Sequence, residues 1–195
     1  LSNTLNARGH NSAVLTGGQA GIITDDNFGD AEILRVEPQN ILSCLQRGII
    51  PVIAGFQGVT ENGDVTTLGR GGSDVSGAIL GEALLAEAVE IYTDVDGIMT
   101  ADPTLVPNAS LMDAILYDDI FQMAEYGAKV IHKRAVQIAM RSNIPLIIKN
   151  TMTNSPGTLI TGNSLSNKLR ITYTQKTVAA IACMENKALV RLSPN

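Results

Sequence analysis

The chain has 195 residues, 45% of them hydrophobic and 17% charged, with a formal net charge of −5. This composition excludes a disordered tail and a coiled coil, and the 18 glycines lack the three-residue period of collagen. With 14 basic residues against 19 acidic ones, no nucleic-acid partner is expected, and no apolar run nears the roughly 20 residues that a membrane helix needs.

In chain order the pattern alternates strands and helices, which predicts an α/β fold with a mostly parallel sheet. Residues 1–8 read as the end of a helix, with Gly9 after it. Ala13–Thr16 and Gly21–Thr24 read as short strands around the turn Gly17-Gly18-Gln19, and Ala31–Val36 as a third. Pro38 opens a helix at its first position, which runs to Arg47 and stops at Gly48. The uncharged run Ile49–Phe56 reads as a strand buried on both faces. Asn62-Gly63 between β-formers signals a hairpin. A glycine loop, Gly69–Gly72, precedes a helix capped by Ser73 or Asp74 and running to about Ala88. Val89–Thr93 is a strand, 100–117 a loop, Asp118–Tyr126 and His132–Asn143 helices, and Leu146–Lys149 and Thr158–Ile160 strands. Ser164–Lys168 reads as a linker, followed by β-like stretches near 169–174, 178–183 and 188–192. Cys44 and Cys183 read as reduced core thiols. His10 and His132 lack metal-ligand spacing and read as surface or cap residues. No signal-peptide pattern opens the chain, and a start at Leu1 rather than Met suggests a piece of a longer protein.

The densest constellation is Thr66-Thr67-Leu68-Gly69-Arg70-Gly71-Gly72-Ser73-Asp74, between a hairpin and a helix. Glycines let backbone N–H groups approach an anion, and a helix N-terminus adds positive charge. Arg70 can grip a carboxylate or phosphate through two parallel hydrogen bonds. Asp74 would repel an anion unless it holds a cation or lysine in place. The same string also reads as a capped helix after a tight turn, with Arg70 solvated. It is neither a Walker A loop nor a GxGxxG fingerprint. Thr93-Asp94-Val95-Asp96-Gly97, with Asp102-Pro103 beyond, lies at the carboxyl end of a predicted strand, where α/β sheets bind ligands; a plain turn is the alternative. Lys129, beside Gly127, can reach a phosphate chain or be simply solvated, and Thr16–Gly21 forms another glycine loop. Together these elements suggest phosphoryl transfer to a small acid, chemistry that rests on positioning and charge neutralisation. No Ser-His-Asp or Cys-His pattern is present to suggest a covalent nucleophile.

The run Gly55-Phe56-Gln57-Gly58-Val59 and the Thr66–Asp74 string closely resemble the aspartokinases, members of the amino-acid kinase family. So do Tyr92–Ile98, Thr100–Pro103, Gly127–Val130 and Pro156–Ile160, in order and at family-like spacing over residues 1 to about 162. The resemblance implies a three-layer αβα sandwich and ATP-dependent phosphorylation of the L-aspartate β-carboxylate, with Mg²⁺, at the head of lysine, threonine and methionine biosynthesis. By resemblance Arg70, Gly71, Gly72 and Ser73 grip aspartate, and Phe56 and Gln19 line its pocket. Asp74 organises catalytic lysines, and Lys129 lies on the ATP phosphates. Thr93, Asp94 and Val130 match nucleotide contacts, as do the positions of Met99 and Thr104. Relatives often have Tyr where this chain has Met99 and Arg where it has Thr104, a change that would remove one phosphate or base contact. No residue is expected to act as a protein ligand to a metal.

The family's first strand carries a Lys-Phe-Gly-Gly-type phosphate loop that is absent here, so the chain resembles an internal fragment expected to be inactive by itself. Residues 1–163 would be the later part of the kinase domain, 164–175 a linker, and 176–195 the start of a βαβ-type ACT regulatory domain. Such domains imply a lysine or threonine effector. The family also implies a cytoplasmic homo-oligomer with no membrane partner. Glutamate, acetylglutamate, uridylate and carbamate kinases are alternatives within the fold, and a non-catalytic effector-binding fragment is the alternative outside it.

Overall fold

A computed structural model describes residues 1–125, 130–162 and 180–182. The predicted linker, most of the ACT-like segment, Cys183 and Lys129 lie outside these residues.

Helix α1 (Ser2–Ala7) leads into strand β1 (Ser12–Leu15). Strands β2 (Ile22–Thr24) and β3 (Ile33–Val36) follow, then helix α2 (Gln39–Gln46) and strand β4 (Ile50–Ile53). Pro38 is the N-cap of α2 rather than its first residue. The predicted hairpin is β5 (Gln57–Val59) and β6 (Val65–Thr67), paired antiparallel. Its turn closes with the Gly63 N–H donating to the Thr60 carbonyl, 3.0 Å. Helix α3 (Gly72–Ala83), strand β7 (Val89–Thr93), strand β8 (Ala114–Leu116), helices α4 (Tyr117–Glu125) and α5 (Lys133–Ser142), and strands β9 (Leu146–Asn150) and β10 (Thr158–Thr161) complete the described order.

The described strands form a β1-β4 pair and two four-stranded sheets, β3-β2-β5-β6 and β7-β9-β10-β8. The pairs β1–β4, β2–β5, β7–β9 and β8–β10 are parallel, while β2–β3, β5–β6 and β9–β10 are antiparallel. Helices α3 and α4 lie against the β7-β9-β10-β8 sheet, and α5 packs on both helices. The core between them holds Val75, Ile115, Ile120, Val136, Leu146, Ile148 and Ile160, all at most 1% exposed. Helix α5 shows why: Ala135, Val136 and Ala139 share its buried stripe, while Lys133, Gln137 and Arg141 face water.

Three expectations need correction. Strand β4 is not buried on both faces: it pairs only with β1 among the described residues, leaving Val14 64% and Ile50 43% exposed. It also stops at Ile53, short of Phe56, which takes a left-handed backbone (φ 70°) outside the extended region. The predicted loop 100–117 contains β8, three residues too short to show a period but paired in parallel with β10. Helix α3 stops at Ala83 instead of reaching about Ala88, because Leu85 is left-handed (φ 51°).

Candidate active site

The Arg70 loop is held at both ends. Upstream, Leu68 is fully buried, and its N–H donates to the Phe56 carbonyl, 3.1 Å. Downstream, Gly71 caps α3 with a left-handed backbone (φ 72°), and a side chain there would overlap the His132 ring. Gly71 therefore supplies the N-cap expected of Ser73 or Asp74: its left-handed turn starts the helix early and places those residues second and third within it. Ser73 stays exposed. Among the described residues the Ser73 and Asp74 N–H groups have no hydrogen-bond partner, so the first turn of α3 offers two free donors. Asp74 favours that positive helix end and accepts the His132 N–H on Oδ2, 3.2 Å. Arg70 is exposed and has no carboxylate partner among the described residues.

Phe56 stands beside this loop. Its N–H donates to Ser76 Oγ, 2.9 Å, and Ser76 in turn donates to the Gly72 carbonyl, 2.8 Å. The Phe56 ring lies so close to Gly72 that a Cβ there would stand 2.6 Å from its Cδ2. Arg70, Gly71, Gly72, Ser73, Asp74 and Phe56 are thus brought together. Gln19 is occupied within its own loop: its Oε1 accepts the Thr16 N–H, 2.9 Å, and its N–H donates to Thr16 Oγ1, 3.1 Å. That loop packs on β5, where a side chain at Gly17 would overlap the Gln57 carbonyl, one residue after Phe56.

A second group gathers at the carboxyl ends of the parallel strands β7 and β9, where Thr93 pairs with Asn150. Thr93 Oγ1 donates to Asp94 Oδ1, 3.1 Å. Asp96 Oδ1 accepts from Asn150 Nδ2 and Thr153 Oγ1, each at 2.8 Å. Met99 bridges to Leu111. Thr104 turns back on Asp102, its hydroxyl at 2.6 Å and its N–H at 2.9 Å from Oδ1. Val130 packs on the core. Lys129 lies outside the described residues. No hydrogen bond joins this group to the Arg70 loop among the described residues.

Residues 1–150 match the Amino acid kinase family. The chain belongs to that family. Aspartokinase 1 of Bacillus subtilis is 45% identical over 174 residues, 89% of this chain and 43% of that protein. Aspartokinase III of E. coli, solved with aspartate and ADP, superposes with a TM-score of 0.76 at 36% identity, covering 83% of this chain and 37% of that one. Solved with lysine and aspartate, the same enzyme gives 0.71 at 35% identity, over 82% of this chain and 37% of that one. The chain therefore spans less than half the length of these relatives and shares their αβα fold.

In this kinase-family chain, sequence reasoning missed the residues that hold the loop from behind. His132 reads as a cap, and its ring nitrogen Nδ1 does accept the Arg134 N–H of α5, a long bond of 3.4 Å. Its backbone contact to Asp74 spans 58 residues and leaves no local signal. Burial and the nearby charges of Arg134, Lys133 and Arg70 push the His132 pKa down, against the opposing pull of Asp74. Arg134 lies in an unremarkable basic pair, and Asp30 in a polar turn. Asn150 and Thr153 lie between two predicted strands, where polar residues carry no signal of a distant partner. Among the described residues, no group of three or more His, Cys, Asp or Glu is placed to hold a metal ion, and no helix is long and apolar enough to cross a membrane.

Proposed function

We propose that this chain is the later part of an aspartate kinase domain, which transfers the γ-phosphoryl group of ATP to the β-carboxylate of L-aspartate. A carboxylate oxygen bonds to phosphorus as the bond to ADP breaks, giving aspartyl phosphate. The observation that carries this reading is the Arg70 loop: among the described residues, a guanidinium without a carboxylate partner and two free N–H donors on the first turn of α3, beside Phe56, in a chain 36% identical to an enzyme solved with aspartate and ADP. In this reading Arg70 pairs with a substrate carboxylate, with Gly71, Gly72 and Ser73 approaching as backbone, and Phe56 and Gln19 line the pocket. Asp74 orients the cations that meet the transferring group, and Lys129 neutralises its growing charge. Thr93, Asp94 and Val130 hold the nucleotide, with Met99 and Thr104 nearby. Mg²⁺ would reach the site with the nucleotide phosphates and supply positive charge there. The E. coli enzyme solved with lysine supports lysine as an effector, acting through an ACT-type segment after residue 175 in a homo-oligomer. The test is acyl-phosphate trapping by hydroxylamine with the full-length gene product, ATP and Mg²⁺. Aspartate is expected to give hydroxamate. Product from glutamate or N-acetylglutamate instead would assign the chain to another branch of the family.

A further inference from the structure

The Arg134 side chain, on the first turn of α5, reaches across to the segment that enters the Arg70 loop. Its NH1 donates to the Leu68 carbonyl at 2.9 Å and lies 3.3 Å from Asp30 Oδ1. Its NH2 reaches the Ala31 carbonyl at 3.5 Å. The side chain is only 30% exposed, so these partners replace much of its water. Leu68 is fully buried, immediately precedes Gly69, and is tied through its own N–H to Phe56. Asp30 also sits against the loop, since a side chain at Gly69 would overlap its carboxylate. Two residues before Arg134, the His132 ring covers Gly71 and the His132 N–H holds Asp74. One turn of α5 therefore touches the loop before, within and after its glycines. The Arg70 loop has soft hinges at Gly69 and Gly71, both left-handed, and needs an outside brace to present its donors in one geometry.

We propose that Arg134 is a positioning residue: by fixing the Leu68 carbonyl and the Asp30 carboxylate, it sets where Arg70 and the α3 N-terminus meet the substrate carboxylate. The planar fork of arginine suits two carbonyls and a carboxylate at once, and a lysine cannot copy it. The inference rests on the aspartate kinase reading for its substrate but not for its mechanics.

Two measurements test it. Amide hydrogen exchange on the full-length gene product compares wild type with Arg134→Met and Arg134→Lys. Exchange of the hydrogen-bonded Leu68 and Gly72 amides is expected to rise about tenfold or more in Arg134→Met and less in Arg134→Lys, with residues 78–83 of α3 unchanged. Equal exchange in all three proteins, or a uniform rise along α3, overturns the proposal. If Arg134→Met does not fold, Asp30→Asn removes the ion pair alone, and the same local rise is expected. In the full-length product, Arg134→Met is expected to raise the aspartate KM about tenfold while the ATP KM and kcat change less than threefold. A parallel loss in all three constants would reveal a general structural role and overturn the proposal. A wild-type product inert toward aspartate would refute the functional reading alone, because the exchange experiment still decides the role of Arg134.

Discussion

Asp74 is proposed to serve the helix and the site with one carboxylate. It complements the positive end of α3 and takes the His132 N–H. Its substitution by asparagine keeps the shape and removes the charge. In the full-length product Asp74→Asn is expected to lower kcat on the order of 10²-fold with little change in aspartate KM, because a charge that orients cations acts mainly in the transition state. Steady-state kinetics with varied aspartate checks this, and an unchanged kcat would remove Asp74 from the chemistry. His132 makes a separate prediction about pH. Its folded pKa lies below the ordinary 6.5, chiefly through burial. The unfolded chain then binds more protons in the interval between the two values, so stability rises with pH there. This contribution is complete above 6.5 and is lost as pH falls through the lowered folded value. Protonation of Nδ1 would also break the cap on Arg134. Urea unfolding from pH 5 to 8 is expected to show this loss in wild type and a flatter profile in His132→Asn, which can still cap α5.

At the scale of elements, α3 and α5 are joined at their far ends as well as at the site. Arg141 NH2 lies 2.6 Å from Glu82 Oε2, and Ser142 also donates to that carboxylate. Arg141 holds the Glu82 pKa below its ordinary 4.5, so this contribution is present above 4.5 and lost as pH falls through the lower folded value. Arg141 is 60% exposed, so the pair is partly screened by water, and Glu82→Gln is expected to cost only about 0.5–1 kcal/mol near neutral pH, with the difference from wild type vanishing in acid. Chemical denaturation at pH 7 and pH 3 measures both. The strand β8 should matter more despite its length. Ile115 is fully buried between α4 and the sheet, and Ile115→Ala is expected to cost about 2–5 kcal/mol by the same method. Elements with a clear period or strong punctuation were legible from sequence: α5 by its apolar stripe, the hairpin by Asn62-Gly63, α2 by Pro38 and Gly48. Strand β8 was not, because Ala-Ile-Leu carries no period, and its partner β10 lies over 40 residues away. The start of α3 was misplaced because cap rules favour Ser and Asp, whereas the chain turns on the left-handed freedom of Gly71.

Across the whole molecule, the site is assembled from segments far apart in sequence. The residues that make its chemistry visible, Arg70 to Asp74, are contiguous, and so they could be read directly. Those that brace them, Asp30, His132 and Arg134, come from 40 residues before and 60 after, and only folding places them together. The same limit applies to Asp96, whose carboxylate is satisfied by Asn150 and Thr153 from across the parallel strands. The α/β class was legible from the alternation of elements and the αβα layering from the family resemblance, but the division of the described strands into separate sheets was not, since pairing depends on registers that local pattern does not encode. Arg70 is proposed to bind the substrate carboxylate. Calorimetric titration of aspartate into the full-length product, wild type and Arg70→Ala, tests it most directly. Losing one partner of such a charge pair costs about 2–5 kcal/mol, so aspartate affinity is expected to fall at least ~30-fold while nucleotide affinity holds. Equal aspartate affinity in the two proteins would contradict the account.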